Sequence, residues 1–442
     1  MVNKDIAPDV VLVGGQDTGN GYVKARIAGP GGEDVIDVPS GVSEEVTDRP
    51  DRPAEDRTAP SVLDSGFFDI LDASIDSPQV AARTRHLYGK AGLSSKAVKS
   101  GGYLEFVLED GSKSHQDLVA VLIHGMFAAK ALKDLVARDG QLPQREIVVD
   151  VFASIGLPIR EYSHERTAFA AGFTGIAQKP VSHVVTINNF ETPVSVRLRY
   201  RDVKVLAEGE SAQYAIMDQG LDTYRAGLDR ARQIAEGTEH AELLAEVTAE
   251  DLYSATNTVG VDIGAGTVNF PVFVDGSFNS DKSSTLGRGY ETMMEAALDG
   301  IKSDGKLPNV ETRKQLVDLL LTGGTVRRGQ YRIASRYAAD YMAQFATNVV
   351  KDFDRATRGI DLQVGFVYGG GSGPVREQLE VPLVRSALDH TQGDLVMIYL
   401  DAGSSRELNR EGFVLAARAL AYEPFVDRVG AYPEQVAPVF AA

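Results

Sequence analysis

The feature that most constrains this chain is an internal echo. Asp17-Thr18-Gly19-Asn20-Gly21-Tyr22-Val23-Lys24 and Asp262-Ile263-Gly264-Ala265-Gly266-Thr267-Val268-Asn269 both read Asp-x-Gly-x-Gly. Each follows an apolar run (Val10–Val13, Thr258–Ile263) and leads into another (Tyr22–Ile27, Val268–Val274), which predicts a β-hairpin at both places. One copy alone would mark a tight turn, because a short glycine pattern is unspecific. Two copies in matched strand contexts point to shared chemistry. Glycines let the backbone approach an anion closely, so that successive N–H groups aim at one phosphate. An aspartate at the strand end suits Mg²⁺, a hard cation that keeps part of its water shell and prefers carboxylate oxygen. Two such hairpins facing one another across a cleft would clamp a triphosphate from both sides.

A third element, Val364 to Leu379, reads as a strand, a glycine loop (Gly369-Gly370-Gly371-Ser372-Gly373) and a helix start. A flexible connection is one reading of it. After two phosphate-type hairpins, a bare backbone surface for a flat adenine ring is the preferred one. Other nucleotide and nucleophile motifs fail. Gly-x-Gly-x-x-Gly is broken by Lys24 and by Pro374, Gly89-Lys90 lacks the rest of a P-loop, and Pro374 after Ser372-Gly373 breaks a Gly-x-Ser-x-Gly elbow.

The 442 residues, 43% hydrophobic, suffice for two or more domains, each with its own core. A net charge of −17 disfavours direct sequence-independent DNA binding, which rewards basic surfaces. The absence of cysteine removes thiol catalysis and thiolate zinc sites. His86, His115, His124, His164, His183, His240 and His390 include no i, i+4 pair and give little support to a histidine metal site. No apolar run approaches the ~20 residues of a membrane span, and no signal-peptide core is seen, so a cytoplasmic location is expected.

Periodicity predicts a buried helix over Leu118–Ala137 stopped at Asp139-Gly140, and a strand covered on both faces at Ile147–Ile155. Antiparallel strands are expected over Val184–Val205 and helices over Asp222–Leu252, 290–302, 311–321, 331–357 and 409–421. Further strands are expected at Gln363–Tyr368 and Leu395–Leu400, and Ser40–Ser65 reads as a long polar loop. Strands mixed with helices throughout give an α/β class.

The order of hairpin, hairpin and glycine-rich loop resembles the actin, Hsp70 and sugar kinase superfamily, and more narrowly the bacterial actin-like ParM/StbA plasmid-segregation family. Four segments carry the narrower likeness. Val38-Pro39-Ser40 resembles the family's Phe-Pro-Ser, and Leu87-Tyr88-Gly89-Lys90-Ala91 its Val-Gly-Glu-x-Ala strand. Ile155-Gly156-Leu157-Pro158-Ile159-Arg160-Glu161-Tyr162 resembles its Gly-Leu-Pro-x-x-x-Tyr, and Val203-Lys204-Val205-Leu206-Ala207-Glu208-Gly209 its Val-x-Val-x-Pro-Glu/Gln-Gly. Asn269 departs where many members carry an acid, and Ala207 departs where a Pro is usual.

The resemblance implies a two-lobed actin-like fold of duplicated RNase H-like cores around a nucleotide cleft. Lobe I would comprise 1–258 and 396–442, with an inserted loop at about 40–66 and a helical surface insertion at about 222–252. Lobe II would be 259–395. The resemblance also implies an ATPase, with ATP (or GTP) and Mg²⁺ as cofactors. Asp17 and Asp262 would hold the Mg²⁺ and its waters, and Gly19, Asn20, Gly21, Lys24, Gly264, Ala265, Gly266 and Thr267 the phosphates. Gly369, Gly370, Gly371 and Ser372 would receive the nucleoside. Glu208, with Glu210 as the alternative register, would orient the attacking water, which is positioning rather than covalent chemistry. The implied activity is a nucleotide-dependent filament that segregates or positions plasmid or phage DNA through a DNA-binding adaptor of ParR type, without touching DNA or membrane itself. A small-molecule kinase or a chaperone-like ATPase of the same superfamily is the alternative; Asp150 is the nearest candidate base for a kinase and is better read as structural.

Overall fold

The computed structural model describes residues 6–45, 58–81, 84–94, 102–107, 112–176, 179–313, 315–317, 319–320 and 327–428. The heart of the 40–66 stretch (46–57), parts of 311–321 and the last residues of the chain, 429–442, lie outside the described residues. Contacts divide the chain into two units, Met1–Ala207 with Arg410–Ala442, and Glu208–Asn409.

The first unit is built on a ten-stranded sheet. Its strands are β1 (Val10–Thr18), β2 (Tyr22–Gly29), β3 (Gly32–Pro39), β4 (Val42–Glu45), β5 (Asp72–Asp76), β6 (Arg85–Tyr88), β7 (Tyr103–Leu104), β8 (Ile147–Leu157), β11 (His183–Ile187) and β12 (Val194–Ala207). A separate two-stranded ladder pairs β9 (Gly175–Ile176) with β10 (Lys179–Pro180). The sheet runs β3-β2-β1-β8-β12-β11-β5-β6-β4-β7. β1, β8 and β12 are parallel, and every residue of β8 is buried, as its unbroken apolar run requires. The Asp117–Asp139 helix lies along this sheet and ends where Gly140, at φ +69°, donates its N–H to the Val136 carbonyl. The Leu408–Arg428 helix lies so close that a Cβ at Gly15 would come within 2.4 Å of the Phe413 backbone, and one at Gly156 within 2.8 Å of the Phe413 ring. Bare glycine backbone is what lets the helix pack there.

The second unit repeats that plan. Its strands are β13 (Thr258–Ile263), β14 (Val268–Phe270), β15 (Val272–Val274), β16 (Ser277–Phe278), β17 (Ser284–Leu286), β18 (Val364–Tyr368) and β19 (Val396–Tyr399). The order β17-β14-β13-β18-β19, with β13, β18 and β19 parallel, matches β3-β2-β1-β8-β12 strand for strand. Helices Tyr290–Ser303, Arg328–Thr357 and Ser372–Thr391 contribute to its core. The α/β class and the duplicated core are as the sequence leads one to expect.

Several local expectations are corrected. Residues 208–258 and 396–409, allotted to the first lobe on sequence, pack in the second unit. Tyr224, Leu228, Ala231 and Leu252 are buried in the same core as Val259 and Val364, and a Cβ at Gly227 would lie 2.3 Å from Ile398. The Leu221–Ala235 helix of this stretch therefore covers β19, with the shorter helices packed on it, instead of forming a surface insertion: Tyr224, Leu228 and Ala231 supply an apolar stripe whose place in the core depends on distant partners. The described ends of the 40–66 stretch are also ordered elements. Val42–Glu45 pairs with β6 and β7, and Ala59–Val62 is a helical turn in which Ser61 and Val62 are buried. The 87–91 segment is strand only to Tyr88, because Gly89 at φ +56° turns the chain into the Gly89–Ser94 helix.

Candidate functional site

The two glycine hairpins have the same register. Asp17 lies opposite Lys24 and Thr18 opposite Val23; Asp262 lies opposite Asn269 and Ile263 opposite Val268. Each therefore closes on a four-residue loop, 19–22 or 264–267, with its aspartate one residue before the last pair. Strand alternation fixes where these carboxylates point, since the neighbours of Asp17 on either side, Gln16 and Thr18, belong to the opposite face. Among the described residues, the N–H groups of Asn20, Gly21, Ala265 and Gly266 donate to no protein acceptor. Such turns present free donors of the kind that an anion accepts.

In the first unit, the Ser40 N–H donates to the Gly21 carbonyl at 3.1 Å, which ties β3 to the turn. Ser40 is buried and its Oγ has no partner among the described residues. A buried hydroxyl left unsatisfied costs about 1–3 kcal/mol, and a phosphate oxygen beside the turn would satisfy it. Asp17, Lys24, Gly19, Asn20 and Gly21 are all partly exposed.

In the second unit the turn is embedded in a larger network. The carbonyls of Gly264 and Ala265 accept from the N–H groups of Tyr290 and Glu291, the first residues of the Tyr290–Ser303 helix, at 3.0 and 2.8 Å. Gly289 permits this docking, since a Cβ there would lie 2.3 Å from the Ala265 carbonyl oxygen. The Gly371 N–H donates to the Ile263 carbonyl at 2.8 Å, so the third glycine segment lies directly beside the hairpin. Gly369, at φ +92°, sits so near Asp262 that a Cβ would be 2.4 Å from Oδ1. Ser372 Oγ donates to the Gly369 carbonyl and meets Ser405 Oγ at 3.2 Å, while Tyr399 Oη donates to the Ser372 carbonyl at 2.6 Å. These bonds fix the loop's backbone, and Gly370 alone of its glycines is exposed.

Asp262 is buried and accepts a hydrogen bond from Asn409 Nδ2 at 2.8 Å. Asn409 in turn accepts from Ser211 Oγ at 3.0 Å, so this chain reaches the helix that follows the Glu208 turn. Tyr368 closes the network: its hydroxyl donates to the Gly209 carbonyl at 2.8 Å. Burial, reinforced by the charge of Asp262, pushes the Tyr368 phenol well above its usual range and keeps it a donor. Gly260 makes room for it, because a Cβ there would lie 2.4 Å from Tyr368 Oη. The Glu208–Gly209 turn, the second hairpin and the 369–372 loop are thereby brought together within one unit.

Glu208 and Glu210 differ in place. Glu208 is half-buried in the turn at the end of β12, and Gly209 follows at φ +83°. Glu210 is buried in the first turn of the next helix and accepts from Tyr214 Oη at 3.1 Å. Asn269, cross-strand from Asp262, accepts from Thr285 Oγ1 at 2.8 Å. Asp150 is buried between two guanidinium groups, Arg199 at 2.7 Å and Arg201 at 2.9 Å, and has the structural role expected of it. Sequence reasoning missed Asn409, Ser211, Tyr399 and Ser405. Tyr368 lay inside the glycine-loop motif without being singled out; the others carry no local signature.

Among the described residues no group of three or more His, Asp or Glu side chains could hold a metal unaided. The donors that the hairpins supply are single carboxylates, which fits a cation completed by water and phosphate oxygens, as Mg²⁺ is. No helix of the described residues is long and apolar enough to cross a membrane.

No protein-family model matches the sequence, and no curated protein matches it. Solved structures do resemble it. Bacillus thuringiensis ParM with ATP is 16% identical, with a TM-score of 0.55 over 93% of this chain and 99% of its own. The actin-like protein Alp7A is 14% identical, with a TM-score of 0.59 over 95% and 98%. Ta0583, an archaeal actin homologue in complex with ADP, is 13% identical, with a TM-score of 0.56 over 92% and 99%. At these identities the likeness establishes the fold, and the fold is the actin-like one shared by ParM, Alp7A and Ta0583.

Proposed function

We propose that this chain is an actin-like ATPase that polymerises into nucleotide-dependent filaments and thereby segregates or positions plasmid or phage DNA. The observation that carries the reading is the pair of glycine hairpins with identical register on two matching sheets, the second joined to a glycine loop and to the Glu208 turn. The solved relatives with this fold include ParM with ATP and an actin homologue with ADP, which supports a nucleotide as the ligand.

In this reading the N–H groups of Asn20, Gly21, Ala265 and Gly266, with Gly19, Gly264, Thr267, Ser40 and Lys24, receive the phosphates. The loop Gly369–Ser372 lies against the nucleoside. Asp17 and Asp262 hold Mg²⁺ and its waters; the ion, when bound, neutralises charge on the phosphates. Glu208 orients the attacking water, with Tyr368 and Gly209 fixing the backbone on which it stands. Asn409 holds the Asp262 carboxylate in place.

Polymer assembly is coupled to the nucleotide through subunit affinity. A difference of ~1.4 kcal/mol between nucleotide states changes a critical concentration tenfold. The partners are further copies of the chain and a basic DNA-binding adaptor of ParR type, a division of labour that the −17 charge favours. Sedimentation and right-angle light scattering with Mg-ATP, Mg-GTP, ADP or no nucleotide, with phosphate release followed in parallel, test this. A polymer that forms with triphosphate and decays as phosphate appears is the expected result. Slow hydrolysis with no polymer at any concentration or salt would sink the filament reading and redirect the search to a phosphoryl acceptor or a client protein.

A further inference from the structure

The second unit carries two opposed charge clusters that nucleotide chemistry does not use. Arg328, Arg332 and Arg336 follow one another at intervals of four on the Arg328–Thr357 helix, with Arg327 at its N-cap. Residues four apart share a helix face about 6 Å apart along the axis. All four arginines are exposed, and none forms an ion pair among the described residues. The nearby acids do not neutralise them: Asp304 accepts from Tyr337, and Asp340, one turn beyond Arg336, makes no ion pair with it among the described residues. In a chain of net charge −17, an exposed arginine stripe with no ion pair among the described residues offers a basic surface to an acidic partner.

The complementary surface is on the same unit. Glu236, Glu239, Glu242 and Glu246 are all exposed within the segment that ends in the Ala241–Glu246 helix. Glu242 and Glu246 repeat the four-residue spacing, and Glu236, Glu242 and Glu246 make no ion pair among the described residues. Leu243, between them, is 51% exposed and offers an apolar contact. The two clusters stand on different elements of the unit. The arginine helix packs against the Tyr290–Ser303 and Ser372–Thr391 helices and touches β14 and β17, whereas the Leu221–Ala235 helix leading into the acidic segment packs against β19.

We propose that the arginine stripe of one copy docks on the 236–246 acidic segment of the next, as one head-to-tail contact of the chain's self-assembly. Two different, complementary patches on one chain make a heterologous contact, which repeats without closing unless the rotation brings it round into a ring. A basic patch set against an acidic one also offsets the mutual repulsion of acidic copies on assembly. This rests on the filament reading above and names the surfaces for it.

The test is charge exchange at exposed positions. R328E/R332E/R336E and E242R/E246R are prepared separately and combined in one chain, with circular dichroism and nucleotide binding expected to match the wild type. The critical concentration with Mg-ATP should rise about tenfold or more in either single-patch variant and return to within roughly threefold of wild type when both patches are exchanged. Wild-type assembly should weaken between 50 and 500 mM salt, as contacts between exposed charges are screened. Wild-type assembly by the stripe variant, or failure of the combined exchange to recover, would overturn the pairing. So would retardation of duplex DNA by the wild type that the stripe variant loses, since the stripe would then serve nucleic acid. If the wild type forms no polymer with any nucleotide, the filament reading fails by itself. The pairing is then read from low-salt sedimentation velocity, where the wild type should self-associate and each single-patch variant should not.

Discussion

The two hairpins make an instructive pair. Their loops, registers and aspartate positions coincide, yet their surroundings differ. In the first, Lys24 stands cross-strand from Asp17, and Ser40 approaches the turn from the neighbouring strand. The second is packed against a helix N-terminus, a glycine loop, Asn409 and, through Tyr368, the turn before the Glu210–Asp218 helix. Across from Asp262 stands Asn269, an amide held by Thr285, where the first hairpin has a cation. One local motif thus stands in two environments: a turn with a lysine cross-strand from its aspartate, and one whose aspartate is buried and accepts from Asn409.

The largest effect should come from the carboxylates themselves. Asp262→Ala and Asp17→Ala are each expected to lower nucleotide-stimulated phosphate release on the order of 100-fold, read in a coupled phosphate assay. Full activity in either variant would break the equivalence of the two hairpins.

Glycine substitutions separate the loop packed beside the second hairpin from the first turn. Gly369→Ala places a Cβ 2.4 Å from Asp262 Oδ1 at φ +92°, so a loss of about 2–3 kcal/mol is expected in urea unfolding. Gly19→Ala meets nothing nearer than 3.1 Å and should lose under ~1 kcal/mol by the same measurement. Equal losses would show that the first turn is as closely packed as that loop.

Tyr368→Phe leaves the Gly209 carbonyl without its donor. About 1–2 kcal/mol of stability should go, and phosphate release should fall with little change in nucleotide affinity if the bond holds the Glu208 turn. Unchanged turnover would remove Tyr368 from the site.

The smallest and most regional effect is on pH. The first unit buries His86, His124 and His183, the latter two stacked 4.3 Å apart with Ser77 and Tyr200 as hydrogen-bond partners. Burial lowers His86 from 6.5 to about 4, lowers His124 well below its usual value with help from His183, and lowers His183 as well. A histidine depressed on folding stabilises above its unfolded value, and that contribution is lost as pH falls from about 6.5 toward 4. Hydrogen exchange at pH 7.5 and 5.0 should therefore show first-unit peptides losing protection before second-unit ones. Uniform loss would refute the assignment.

Much of this was legible in the sequence because it is local. The hairpins needed only glycine, aspartate and flanking apolar runs, and the Asp117–Asp139 helix only its period and Gly140. Tertiary partners were not legible. The 222–252 helices read as a surface insertion because the stretch is charged, alanine-rich and longer than the resemblance implies, and only Ile398 and the rest of the second core show why Gly227 and Leu228 face inward. Asn409 gave no signal, since its partner Asp262 is far away in sequence and a lone asparagine has no characteristic neighbours.

The sequence by itself determined which backbone can turn tightly, at Asp-x-Gly-x-Gly, and that it does so twice. Those properties follow from steric freedom within a few residues. Only the tertiary structure decided which carboxylate is buried, which glutamate is half-buried at the turn, and where the chain divides between its units. Those depend on burial and hydrogen bonding among segments far apart in the chain, and no short-range pattern encodes them.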